Sequence, residues 1–311
     1  MSGTGISHDH RSSLATRAAV ASVTSAIVLI ALKAIAASKT GSVAMLGSLA
    51  DSGLDLMASL VTLAGVRIAA QPADREHRFG HGKAEALVAM VQVILIALSA
   101  LAIFARSANR LAGGQQTQDA EFGIVVSLIA IVLTFGLTSY QRYVVRRTES
   151  VAISTDHAHY QSDLLLNGSV VLALALEQML HLKGADALFG IGIALWLGWN
   201  AYGASKEAIG QLMDREWPDE ERAAFLAAAA DYPELEGLHD LRTRSSGTHR
   251  FVQFHAWVPG EWTVEHAHTV MDRVEEALQA RFPNTEIIIH LDPEGHTDRE
   301  TMLSSDLTET R

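Results

Sequence analysis

The chain has 311 residues, 49% of them hydrophobic, with 24 Lys and Arg against 35 Asp and Glu and a formal net charge of −11. An acidic balance of this size argues against nucleic acid as a partner. The absence of cysteine excludes disulfides and thiolate ligands, so any metal site must use His and carboxylate.

Taken in chain order, residues 1–13 form a polar N-terminal segment without the short apolar core and small-residue cleavage site of a signal peptide. A hydrocarbon core about 30 Å thick needs about 20 apolar residues of helix. Six segments meet that length, at 14–37, 43–70, 84–111, 122–145, 153–181 and 185–212, and predict a six-helix membrane domain over 14–212. Basic residues gather at the start of the first segment (Arg11, Arg17), around the second connection (Arg67, Arg75, Arg78, Lys83) and around the fourth (Arg142, Arg146, Arg147). The positive-inside rule then places both termini in the cytoplasm, in a multi-pass protein of the inner (plasma) membrane.

The second segment carries Asp51 and Asp55 within LADSGLD, and the fifth carries His159 and Asp163 within HAHYQSD. An ionised carboxylate at the bilayer centre costs about 2.5–3.5 kcal/mol, and spacing i, i+4 puts each pair on one helix face. Pairing with cations from other helices is the plainer alternative. Lys33 is the one basic residue well inside a predicted span, however, and cannot neutralise three carboxylates. Three carboxylates and one imidazole make four oxygen and nitrogen donors, a set that suits a tetrahedral divalent transition metal such as zinc. Ser48, Ser52, Ser162 and Asn167 lie within one turn, placed to orient ligands or line a water path. Because an imidazole titrates across ordinary pH, metal and proton compete at His159. A protein alternating between two openings can thereby couple metal exit to proton entry.

Between the second and third segments, QPADREHRFGHGKAEAL holds Asp74, His77 and His81. A metal site and a basic, glycine-rich turn with solvated histidines both fit that spacing. Beyond residue 212, MDREWPDEERAAFLAAAADYPELEG predicts a helix starting near Pro218 and Asp219 and ending near Pro233. LHDLRTR and RFVQFHAWV predict strands joined by SSGTH with Gly247; TVEHAHTVMDRVEEALQARF predicts a helix and TEIIIHLD a buried strand. The order αββαβ makes residues 213–294 a small α+β domain, and 295–311 a polar, disordered tail. His239, His255, His268, Asp272, His290 and Asp292 sit on elements that such a domain can gather, although lone histidines on strands are often structural. His290 and Asp292 share a parity and hence a face.

Together LADSGLD, PADREHRFGHGKAE, HAHYQSDLLLN, HDLRTR, FHAWV and IIIHLDP resemble the cation diffusion facilitator family, and most closely its bacterial zinc and iron efflux branch. The resemblance covers nearly the whole chain from Leu14 to Pro293. It implies a homodimer whose protomers combine six transmembrane helices with a cytoplasmic domain similar to small metallochaperones, exporting divalent metal in exchange for protons and catalysing no reaction. Carried over by motif, the transport site is Asp51, Asp55, His159 and Asp163, and the loop site is Asp74, His77 and His81. The same resemblance makes His239, His255, His268, His290 and Asp292 a cytoplasmic paired-metal site with Asp292 as the bridge and Asp272 nearby. Lys83 and Asp214 match an ion pair that holds the two protomers together in similar proteins. Leu291 departs from the polar residue common in related chains. The Asp, Asp, His, Asp set resembles carriers of zinc, iron and cadmium, whereas manganese-preferring relatives replace the histidine by carboxylate; zinc is the expected substrate and ligand.

Two other classes compete. An intramembrane metalloenzyme needs an open coordination position, but there is no HExxH helix and four protein ligands close the site. A membrane-bound metal sensor would bind without transporting.

Overall fold

Long apolar runs in the computed structural model fold as six helices: α1 (His8–Thr40), α2 (Val43–Ala69), α3 (Ala84–Gly113), α4 (Glu121–Thr148), α5 (Val151–Leu180) and α6 (Ala185–Leu212). The structure describes residues 8–40, 43–113, 121–180, 185–247 and 249–296. Helix α1 starts at His8, so residues 8–13 of the polar N-terminal segment are helical. The expected tail lies almost wholly outside the described residues.

Among the described residues, five of these helices contain a stretch long and apolar enough to cross a membrane. The first half of α5 carries Asp156, His157, His159 and Asp163. A helix of that kind has to be covered by protein, and α5 packs against α2, α3 and α4. The packing relies on small residues that let backbones approach. Ala15, Ala18 and Ala19 of α1 are fully buried with Val66, Val144, Ala152 and Ile153. A Cβ on Gly65 would collide with Val88, so α2 and α3 meet at a distance only glycine permits. Leu54, Val132 and Leu195 face outward instead, an apolar surface that lipid solvates.

The chain divides into two compact units, with residues 11–209 in one and residues 1–10 and 210–311 in the other. In the second unit, α7 (Asp219–Ala229) and a single 3-10 turn at Pro233–Leu235 lead into β1 (His239–Ser246) and β2 (His249–Val258). These strands pair antiparallel, and α8 (Val264–Arg281) then carries the chain over to β3 (Thr285–Pro293), which pairs parallel with β2. The sheet order is β1-β2-β3 and the element order is the expected αββαβ. Both strands run further into the hairpin than SSGTH implied. Only positions 247 and 248 connect them, and Gly247 takes φ 59°, the left-handed region that glycine adopts without a Cβ penalty.

Helix α8 is capped by Thr263, whose hydroxyl oxygen accepts the His266 backbone N–H at 3.2 Å. It lays Val270, Met271, Val274 and Leu278 on the sheet, where they meet Val252, Phe254 and Ile287. Phe225 of α7 is fully buried among the rings of Trp217, Phe254 and Phe282, at centroid distances of 6.3, 5.9 and 5.2 Å. Substituting Phe225→Ala is expected to destabilise this unit by about 3–5 kcal/mol. Hydrogen exchange of the β2 amides in the full-length protein reads that loss directly.

Candidate metal centres

Three groups of His and carboxylate side chains converge among the described residues: Asp55 with His159 and Asp163, Asp74 with His77 and His81, and His239 with His255 and Asp292. In the helical bundle, His159 Nε2 stands 3.1 Å from Asp55 Oδ1 and 3.9 Å from Asp163 Oδ2. The i, i+4 spacing aims the imidazole and the Asp163 carboxylate toward α2, and α2 answers with Asp55. Asp51, one turn earlier, is exposed and outside this group. Close by, Lys33 Nζ of α1 donates to Ser52 Oγ at 2.6 Å. Ser162 and Asn167 donate to the backbone carbonyls of His159 and Asp163 at 2.5 and 2.8 Å, so both serve the ligand helix rather than a ligand atom.

A second polar centre lies beside the first and was not singled out from the sequence. Asp156, one turn before His159, is fully buried. Its Oδ2 accepts from Ser22 of α1 at 2.6 Å and Gln141 of α4 at 2.8 Å. Its Oδ1 accepts from Gln92 of α3 at 3.1 Å and, more distantly, Thr62 of α2 at 3.5 Å. The burial cost that marks Asp51, Asp55 and Asp163 in the sequence applies equally to Asp156 and would have found it. Glu85, at the start of α3, is likewise buried and accepts the Ser150 hydroxyl at 2.6 Å. The backbone N–H groups of Val151 and Ala152 also bond to it, so Glu85 caps the N-terminus of α5 from another helix.

Asp74 organises the loop centre. Its Oδ1 accepts the backbone N–H groups of Glu76 at 2.8 Å and His77 at 2.6 Å. The two oxygens also lie 3.3 Å from His77 Nδ1 and 3.3 Å from His81 Nε2. Gly80, at φ 78°, turns the chain between the two histidines, whose rings lie 4.6 Å apart with their planes tilted by 45°. The turn itself brings the three donors together, with His81 largely buried and His77 exposed. The His77 backbone hydrogen bond, joined by that of Glu76 and the two nearby histidines, holds the Asp74 carboxyl below its ordinary value.

In the sheet, register alone aligns three histidines, since His239 pairs with His255 and His255 with His290. The β1 register slips between His239 and Arg242, where Asp240 has φ 50°, and this bulge re-aims His239. Asp292, almost fully buried, places Oδ2 2.8 Å from His255 Nδ1 and 3.4 Å from His239 Nε2, with Oδ1 3.5 Å from His290 Nε2. The Gly237 carbonyl lies 2.7 Å from His239 Nδ1 and accepts its proton, which leaves the buried Nε2 with no hydrogen-bond partner. That is the orientation a metal-ligating imidazole takes. His268 is exposed on α8 outside this group, but it lines an open cavity of about 550 Å3 together with His290, Asp272 and Glu275. Burial, with Asp272 and Glu286 nearby, pushes the Glu275 carboxyl up. Leu291 packs on the hydrophobic core instead of joining the donors. Asp214 pairs with Arg244 at 3.2 Å within its own unit.

Imidazole and carboxylate gather among membrane-type helices, with a second donor set in an α+β domain, an arrangement that fits a membrane carrier of cations. Residues 19–213 match the family model described as the cation efflux transmembrane domain, and residues 217–294 match the cation efflux protein cytoplasmic domain. The chain belongs to the cation diffusion facilitator family, whose members export divalent metals. It is 44% identical over 280 residues to the cation-efflux pump FieF of Klebsiella pneumoniae subsp. pneumoniae, spanning 90% of this chain and 93% of the relative. It is 43% identical over 288 residues to FieF of Cronobacter sakazakii, spanning 93% and 95%. Among solved structures, the Zn form of CzrB is 40% identical, covers 28% of this chain and 99% of its own, and has a TM-score of 0.25.

The sign of the Asp74 shift gives a pH test of the loop. The hydrogen bonds of an ionised Asp74 are fully present above the ordinary value of 3.8 and are lost as pH falls through the lower, folded value. Amide exchange at Glu76 and His77 should therefore stay protected on acidification past the ordinary carboxyl value of 3.8, with protection lost only as pH falls through the lower folded value. Asp74→Asn should remove that pH dependence.

Proposed function

We propose that this protein exports zinc from the cytoplasm across the inner membrane in exchange for protons, working as a homodimer with both termini in the cytoplasm. The observation that carries the reading is the placement of His159 Nε2 3.1 Å from Asp55 and within 3.9 Å of Asp163 inside a helical membrane bundle. Asp55, His159 and Asp163 bind the ion, and Asp51 on the same helix completes four oxygen and nitrogen donors when α2 turns toward α5. His159 exchanges metal for a proton, since its ring nitrogen holds either one and not both. Iron and cadmium are secondary substrates for the same donor set. The transport domain comprises residues 14–212 and the metal-binding domain residues 213–294, with a polar tail beyond. Lys83 and Asp214 join the protomers at the membrane boundary.

The cytoplasmic set regulates. Zinc held by His239, His255, His290 and Asp292, with His268 from the adjoining helix, stabilises the dimer and biases the bundle toward its active arrangement, a coupling between two sites. The loop site of Asp74, His77 and His81 binds metal at the membrane surface.

Zinc uptake into proteoliposomes containing a fluorescent zinc reporter, under an imposed pH gradient, tests the first claim. Wild-type flux is expected to follow the gradient, and Asp55→Ala to reduce it to that of empty liposomes. Gradient-independent wild-type flux would remove the proton from the mechanism, and no flux with zinc, iron or manganese would make the protein a sensor. For the regulatory claim, Asp292→Ala is expected to raise the zinc concentration for half-maximal flux by about tenfold and to leave metal binding at Asp55 intact. Flux equal to wild type at every zinc concentration would rule out regulation by that site.

A further inference from the structure

We propose that Asp156 is a positioning residue for ion binding at Asp55, His159 and Asp163. Its buried carboxylate gathers four other helices and sets the rotation at which α5 presents His159 to α2. The inference rests on the reading of those three residues as the transport site.

The facing stripes of α2 and α5 form an antiparallel polar ladder. Asp55 meets His159 at 3.1 Å; Ser59 Oγ meets the Tyr160 hydroxyl at 2.7 Å; Thr62 meets Asp156 at 3.5 Å. Positions 156, 159 and 160 lie within about 100° of arc on a helix, so His159 sits beside two anchors that share its face. Tyr160 also donates to the Ser22 carbonyl of α1 at 3.3 Å, which ties the same face of α5 to a further helix. A rotation of α5 that drew His159 away from Asp55 would break the contacts of Asp156 and Tyr160 together.

The chemistry of the hub calls for a carboxylate and no close relative of it. Four neutral donors, from Ser22, Thr62, Gln92 and Gln141, aim two apiece at the two oxygens, and a carboxylate is the side chain that only accepts. Both glutamines direct their amide N–H groups at Asp156, and their own carbonyl oxygens are buried without a hydrogen-bond partner. Gln141 also donates to Ser22 Oγ at 3.0 Å, and Gln92 donates to Thr62, so the donors are braced against one another. An amide at position 156 would turn an N–H donor toward groups that are already donors.

Zinc flux in proteoliposomes, resolved into half-saturating concentration and maximal rate, tests the role. Asp156→Asn is expected to raise the half-saturating zinc concentration by about tenfold or more, as loss of a residue that orients a metal ligand does. Gln141→Glu alone sets two carboxylates side by side and should also fail. The double variant Asp156→Asn, Gln141→Glu restores one carboxylate facing amide donors, and its half-saturation should return toward wild type, a non-additivity that independent structural damage does not produce. If Asp156→Asn does not assemble, Ser22→Ala, which deletes one donor, should shift half-saturation in the same direction. An unchanged half-saturation in the folded variant, with at most a lower maximal rate, overturns the proposal. Asp55→Ala separates the two levels of inference: flux retained in that variant removes the transport-site reading itself, whereas flux lost there with wild-type half-saturation in Asp156→Asn removes only the positioning role.

Discussion

Carboxylates enclosed among membrane-spanning helices must be surrounded by hydrogen-bond donors or cations, and the arrangement of the bundle follows from that requirement. Helix α5 carries two such carboxylates and two histidines in its first half. It cannot face lipid along that stripe, so α2, α3 and α4 pack around it, and α1 contributes Ser22. The two acids are treated differently. Asp156 lies among four neutral donors, while Asp163 stays near an imidazole and a second carboxylate, a set with lone pairs to spare. One acid therefore holds the helices, and the other, with its neighbours, remains chemically available.

The three donor clusters use the same residue types in three structural settings. In the loop, a tight turn around Gly80 and the hydrogen bonds of Asp74 bring the donors together near water. In the sheet, cross-strand register aligns the histidines, and a bulge at Asp240 with a backbone acceptor at Gly237 fixes how His239 points. Between helices, i, i+4 spacing gathers His159 and Asp163 opposite Asp55, and a hydrogen-bond network around Asp156 lies beside them. Rigid surroundings favour tight, specific retention of a metal, whereas transport needs a site whose ligands can separate. On the proposed reading, donors divided between α2 and α5 meet that need, because a relative movement of two helices alters which donors meet without unfolding either one.

Much of this was legible in the residues themselves. Six apolar segments predicted six helices to within a few residues at most ends, and the change of pattern after residue 212 predicted the αββαβ domain, because length and periodicity are local properties of a chain. The pairs at 51 and 55 and at 159 and 163 stood out because a charge in an apolar run is costly wherever it occurs. Asp156 met the same criterion, but it has no partner at i+4 and its partners are spread from Ser22 to Gln141, so no local spacing announces it. His268 and Asp51 belong to the expected sets yet stand outside the compact groups, since sharing a helix face does not bring a side chain within ligand distance of another element.

The sequence by itself determined the membrane character, the two-unit organisation, the lack of thiolate chemistry and the types of donor available, all consequences of composition and periodicity along one dimension. Only the tertiary structure decided which donors meet, that Asp292 sits between strands with His255 at 2.8 Å, that Leu291 serves the core, and that one buried carboxylate gathers five helices. Those outcomes depend on long-range packing and on the need to satisfy buried polar groups together, and that balance is struck between residues as distant as Ser22 and Asp156, 134 apart in the chain.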